Sequence, residues 1–116
     1  MQDRAPGTTP GTHFNPTKDN PMLAIIARLN VQPGKESEFE AAMSELASAV
    51  RKNEAGCTLY QLSKGKDVGK YVMMERYATQ EALAAHGQTE YFRAGVGKFG
   101  PLLAGRPEIE ILTELP

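Results

Sequence analysis

Lys70–Tyr77, KYVMMERY, limits the fold more than any other stretch, because it is apolar on both of its alternating sets. Tyr71, Met73 and Tyr77 fall on one set, Val72 and Met74 on the other. Aromatic and β-branched side chains suit a pleated, covered surface, so this pattern predicts a strand covered on two sides. Met22–Val31, MLAIIARLNV, behaves alike. Leu23, Ile25, Ala27, Leu29 and Val31 share one face and Met22, Ala24 and Ile26 the other, until Arg28 and Asn30 break that second face near its end. A sheet built from such strands needs cover on both sides.

The rest of the chain supplies cover for one. Pro33-Gly34 makes a turn, and from about Lys35 to Asn53 the residues Phe39, Ala42, Met43, Leu46 and Val50 recur at three and four, predicting an amphipathic helix with acids early and bases late. Cys57–Ser63 reads as a second strand, joined by the polar turn KGKDVG to the strand at 70 in an antiparallel hairpin. Thr79 caps a short helix, Gln80 to His86. Gly87 then kinks the chain into a second helical piece, about Thr89 to Phe99, with Tyr91, Phe92, Val96 and Phe99 inward. Pro101 stops it, Leu102 and Leu103 pack under the loop, and Glu108–Glu114 forms the last strand with Ile109 and Ile111 inward. The order βαββαβ predicts an α+β, ferredoxin-like domain over residues 22–116, a four-stranded antiparallel sheet with two helices on one face. The other face is covered most simply by a second copy of the same sheet, which predicts a homodimer packed face to face.

Composition narrows the partners. The chain has 116 residues and a net charge of -1 with both signs scattered, which argues against nucleic acid or an anionic membrane surface as partner. The single cysteine, Cys57, excludes an internal disulfide framework and fits a reducing cytosol. No apolar run approaches the roughly 20 residues a bilayer requires, and no signal-like apolar core begins the chain, so a cytoplasmic protein is expected. Residues 1–21 carry four of the eight prolines and no Val, Ile or Leu, and read as an extension outside the domain, with Phe14 its only aromatic anchor.

Four short stretches, GKESEFEAAM, NEAGCTLYQL, YVMMERYATQEALAAHGQTEYF and the PLL before the last strand, together resemble the antibiotic biosynthesis monooxygenase (ABM) family of dimeric α/β barrels, over about Met22 to Leu115. The resemblance implies a small oxygenase that uses dioxygen without a cofactor to convert a phenol or quinol to a quinone. Relatives of that family also include haem-degrading enzymes and an isomerase of a phosphorylated quorum-sensing sugar derivative. The haem pattern has an Asn, a Trp and an iron-ligating His where this chain has Ala27, His86 and Val96, and the chain has no Trp, which argues against haem degradation.

His86 lies in AAHGQT, where oxygenase-like and isomerase-like members also carry His. It reads either as a helix cap favoured by the dipole or as a general base toward an acidic hydroxyl. Glu75 interrupts a covered face, where an unpaired charge is costly. It reads either as a group serving the fold, ion-paired with Arg28 or held by a backbone donor, or as the group that orients His86. Tyr60, Tyr71, Tyr77, Tyr91 and Phe92 read as core, or together as a flat aromatic pocket in which Arg28 helps position substrate. Cys57 reads as a small buried hydrophobe. Ala94-Gly95-Val96-Gly97-Lys98 lacks the preceding strand and following Ser or Thr of a phosphate loop, and the two His residues have no paired ligands, so no metal site is expected. Two other readings stay open: an isomerase, with Arg28, Lys98 and Arg106 as bases for a phosphate, and a non-catalytic small-molecule-binding or stress-related dimer.

Overall fold

A computed structural model describes residues 21–116. The expected extension up to residue 20, with Phe14, lies outside the described residues. Four strands, β1 (Leu23–Asn30), β2 (Cys57–Lys64), β3 (Lys70–Tyr77) and β4 (Glu108–Thr113), form one antiparallel sheet in the order β2-β3-β1-β4. Three helices, α1 (Glu36–Asn53), α2 (Gln80–Gln88) and α3 (Glu90–Phe99), accompany it, with a 3-10 turn at Gly100–Leu102. This is the ferredoxin-like α+β arrangement that the strand and helix order predicts.

Helix α1 carries Glu36 and Glu38 in its first turn and Arg51 and Lys52 in its last, the charge order the helix dipole favours. Its apolar stripe, Phe39, Met43, Leu46, Ala47 and Val50, is buried against Ala27 and Leu29 of β1 and Tyr60, Tyr71 and Met73 of β2 and β3. At Gly69 the backbone has φ +85°, and a Cβ there would stand 2.9 Å from the Val31 carbonyl oxygen, so only glycine fits the turn into β3.

Three details depart from the sequence expectation. The helical run after Thr79 is not kinked at Gly87; α2 continues to Gln88, and Thr89 separates it from α3. On α3, Val96 is 39% exposed while Gly95 is buried against Leu46, because the inward face is rotated by one residue. Ile109 and Ile111 do lie on the helix side of the sheet, opposite Ala27 and Ile25, but stay 63% and 58% exposed because no helix among the described residues reaches that edge strand.

The opposite sheet face is apolar, and no element among the described residues covers it. Ile26 pairs with Met74, Ala24 with Leu112, and Gln61 with Met74, which brings Met74, Leu112 and the nearby Leu59 onto one patch, each about 40% exposed or slightly more. Polar pairs flank it: Arg28 with Glu110 at 3.5 Å, and Arg76 with both carboxylate oxygens of Glu114 at 2.7 Å.

Candidate active site

One histidine is buried. His86 is 4% exposed and is the single buried residue of α2, in its last turn. The junction that follows fixes its backbone: the Thr89 hydroxyl donates to the His86 carbonyl at 2.9 Å, and the Thr89 hydroxyl oxygen accepts from the Phe92 amide at 3.2 Å. Thr89 thus closes α2 and caps α3 at once, while Thr79 caps the start of α2 by accepting from the Ala82 amide. The imidazole is turned inward rather than toward the helix end.

Its Nδ1 lies 3.1 and 3.0 Å from the two carboxylate oxygens of Glu54, the residue that ends α1. Glu54 also accepts a 2.5 Å hydrogen bond from the Tyr91 hydroxyl. With Nδ1 donating to a carboxylate, Nε2 remains the nitrogen with no hydrogen-bond partner among the described residues, the arrangement in which a histidine can act as a base. The ring is walled by Phe92 at 4.6 Å, Tyr60 at 5.3 Å and Tyr77 at 5.5 Å between centroids.

A register shift between Cys57 and Leu59 builds the floor. It leaves Cys57 opposite Tyr77 and Tyr60 opposite Glu75, so both β2 side chains join the helix-facing side. Glu75 accepts from the Tyr77 hydroxyl at 2.7 Å. Burial pushes its carboxyl above the usual range; the Tyr77 hydrogen bond and the nearby imidazole pull it back in part, and the Glu54 charge pushes the same way as burial. Tyr91 is pushed up to about 12 by burial and by its bond to Glu54. Tyr60 and Tyr77 are raised by burial first and by Glu75 second. These phenols stay protonated at neutral pH and serve as donors, which leaves the His86–Glu54 pair and Glu75 as the groups able to take a proton.

Of the residues singled out in the sequence, His86, Glu75, Tyr60, Tyr77, Tyr91 and Phe92 converge. Arg28 does not. It sits on the opposite sheet face with Glu110, and so neither pairs with Glu75 nor reaches the aromatic cluster. Glu54 is the residue the sequence reading missed, and it, not Glu75, holds Nδ1. A signal was available: an acid at the C-terminal end of α1, two residues after Lys52, stands where the helix dipole disfavours it and therefore needs a partner. The bases considered for a phosphate also stay apart. Lys98 pairs with Glu45 at 2.7 Å on the helical surface, and Arg106 lies exposed before β4.

Beside the cluster, a cleft of about 420 Å3 opens between α2 and the turn from α1 into β2, lined by Glu54, Gly56, Cys57, Ala82, Ala85 and Tyr91 among others. Among the described residues no group of three His, Cys, Asp or Glu side chains is placed to hold a metal, and no helix is long and apolar enough to cross a membrane.

The sequence profile described as antibiotic biosynthesis monooxygenase matches residues 22–98, from β1 through nearly all of α3. The chain belongs to the ABM family. Among its relatives, "Putative monooxygenase Rv0793" of Mycobacterium tuberculosis is 29% identical over 93 residues, covering 80% of this chain and 91% of that protein. "Putative monooxygenase YcnE" of Bacillus subtilis is 27% identical over 94 residues, covering 81% and 98%. A crystal structure from Caulobacter crescentus CB15, described as a "putative antibiotic biosynthesis monooxygenase", superposes with a TM-score of 0.82 at 43% identity, over 84% of this chain and 92% of that one. Residues 99–116, with β4, extend past the ABM match and complete the same sheet.

Proposed function

We propose that this ABM protein is a monooxygenase that uses dioxygen to convert a small phenol or quinol to a quinone, without a cofactor. The observation that carries the reading is the buried His86 imidazole, pinned at Nδ1 by Glu54 and enclosed by Tyr60, Tyr77 and Phe92. The names borne by the Mycobacterium, Bacillus and Caulobacter relatives support the same class of chemistry.

The phenolic proton passes to the His86–Glu54 pair, and the resulting phenolate is electron-rich enough to give one electron to dioxygen. The phenoxyl radical and superoxide recombine with formation of a C–O bond. Loss of water from the peroxide then leaves one oxygen atom in the quinone. The protein's tasks are binding the ring, assisting deprotonation, excluding water and keeping the radical pair together. Tyr77 and Tyr91 already donate to Glu75 and Glu54, so the Tyr60 hydroxyl is the one that serves as donor to developing oxygen charge. Glu75 sits where it can stabilise a protonated imidazole.

The working unit in this reading is a homodimer closed over the apolar sheet face of Ile26, Leu59, Met74 and Leu112, since a monomer would leave that patch wet. The scattered positions of Arg28, Lys98 and Arg106 give the isomerase reading no phosphate site. Oxygen uptake over a panel of hydroquinones and anthrone tests the proposal. A rate above the uncatalysed one is expected, and uptake that never exceeds it contradicts the reading.

A further inference from the structure

We infer that Tyr91 is a positioning residue that acts through Glu54: its hydroxyl sets how much of the carboxylate's charge falls on the His86 imidazole, and it does not seat the substrate. The role rests on the reading of the His86–Glu54 pair as the base, and it takes Tyr91 out of the aromatic pocket.

Glu54 ends α1, where the helix dipole disfavours a negative charge. Among the described residues its carboxylate accepts from two side chains, the His86 imidazole and the Tyr91 hydroxyl. Tyr91 and Phe92 are successive residues in the first turn of α3, so their side chains leave the helix about 100° apart. Phe92 packs on the imidazole, 4.6 Å between centroids, while Tyr91 reaches the carboxylate at 2.5 Å. One helical turn therefore holds both members of the pair. The Tyr91 ring is partly exposed and lies along the seam of α1 and α3, beside Ala42, Leu46 and Gly95, whereas the rings around His86 are Phe92, Tyr60 and Tyr77.

A phenol has one hydrogen to donate, and that of Tyr91 is spent on Glu54. Burial and the same bond push the phenol up to about 12, so it remains a donor at neutral pH. A hydrogen bond donated to an anion is of the strong kind, and it draws the Glu54 charge away from the imidazole. Without it the carboxylate leans wholly on His86, and the pair grips an added proton more tightly. Loss of the hydroxyl therefore raises the pH at which that proton leaves. The other ionisable groups facing the pair are Glu75 and Tyr77 of β3 and Tyr60 and Cys57 of β2. Among the described residues none of these four hydrogen-bonds to Glu54 or His86; Glu75 and Tyr77 bond to each other, and the Cys57 thiol donates to the Leu59 carbonyl. Of the nearby bases, Arg51 of α1 is held by the Tyr60 carbonyl at 2.6 Å and Arg93 of α3 by Gln88 at 2.9 Å.

The test is an NMR titration of the His86 imidazole in the full chain, its signals told apart from those of His13 by a His13→Gln variant. Tyr91→Phe keeps the ring and removes the hydroxyl. The midpoint is expected to rise by about one pH unit, a tenfold gain in proton affinity. In a Glu54→Gln background, where there is no charge to share, the same substitution is expected to move it by less than about 0.3 unit. An unmoved midpoint, or an equal rise in both backgrounds, overturns the proposal. Turnover of a hydroquinone gives a second readout: the acid limb of kcat/KM is expected to move up by the same unit, with KM unchanged. A raised KM with the limb in place puts Tyr91 against the substrate, and a rate lowered equally at every pH marks a structural role; either result overturns the proposal. A midpoint that moves as expected in a protein that consumes no oxygen upholds the role of Tyr91 and sinks the oxidation reading. Oxygen uptake above the uncatalysed rate with an unmoved midpoint does the reverse.

Discussion

Glu54 and His86, 32 residues apart in the chain, meet at 3.0 Å with side chains only 12% and 5% exposed. The pair ties the end of α1 to the end of α2 and supplies the domain's one buried imidazole with a fixed orientation. Breaking such a pair from one side leaves an uncompensated polar group in the interior. Glu54→Ala is expected to cost about 3 kcal/mol, read as a lowered urea midpoint. Glu54→Gln, which keeps the shape and an acceptor, is expected to be milder in stability yet to lower kcat/KM about 100-fold, because the imidazole loses its anionic partner. Equal effects of the two variants on stability would mean that the contact is not formed.

Glu75 makes the opposite prediction for stability. Its folded-state carboxyl is raised by burial, so the stability it contributes is complete below the ordinary Glu pKa of about 4.3 and is lost as pH rises through the folded value. Glu75→Gln keeps an acceptor for the Tyr77 hydroxyl and removes the cost of ionisation. Its melting temperature is expected to exceed that of the unmodified protein by about 2–5 °C at pH 8, with the advantage vanishing near pH 4. A constant offset at both pH values would show that ionisation of Glu75 is not the cause.

Met74 tests the dimer. It sits in the middle of the open sheet face beside Ile26, 43% exposed in the protomer. Sedimentation of the unmodified protein at micromolar concentration is expected to give twice the protomer mass. Met74→Lys, a charge placed against its own symmetry mate, is expected to give single protomers with unchanged helical content. Single protomers already in the unmodified protein would remove the face-to-face arrangement.

The fold was largely legible in the chain because its signals are local and periodic. The double-sided strands at 22–31 and 70–77 and the three-four repeat of α1 each follow from a dozen residues or fewer, and the element order then leaves few topologies. What depended on three-dimensional placement was harder. Arg28 and Glu75 lie on strands paired to each other, yet one residue's parity sends them to opposite faces, so the ion pair between them does not form. Ile109 and Ile111 alternate as a covered strand should, but an edge strand is covered only where a helix reaches it. Glu54 was hidden because its partner comes from a helix 32 positions away, and only the wrong-signed charge at the end of α1 hinted at it.

The most direct measurement is oxygen consumption by the unmodified protein and by His86→Asn, side by side, with the phenol that is turned over fastest. The account predicts uptake well above the uncatalysed rate in the first and a loss of about 100-fold or more in the second, with the variant still folded by circular dichroism. Equal uptake by the two proteins would contradict it.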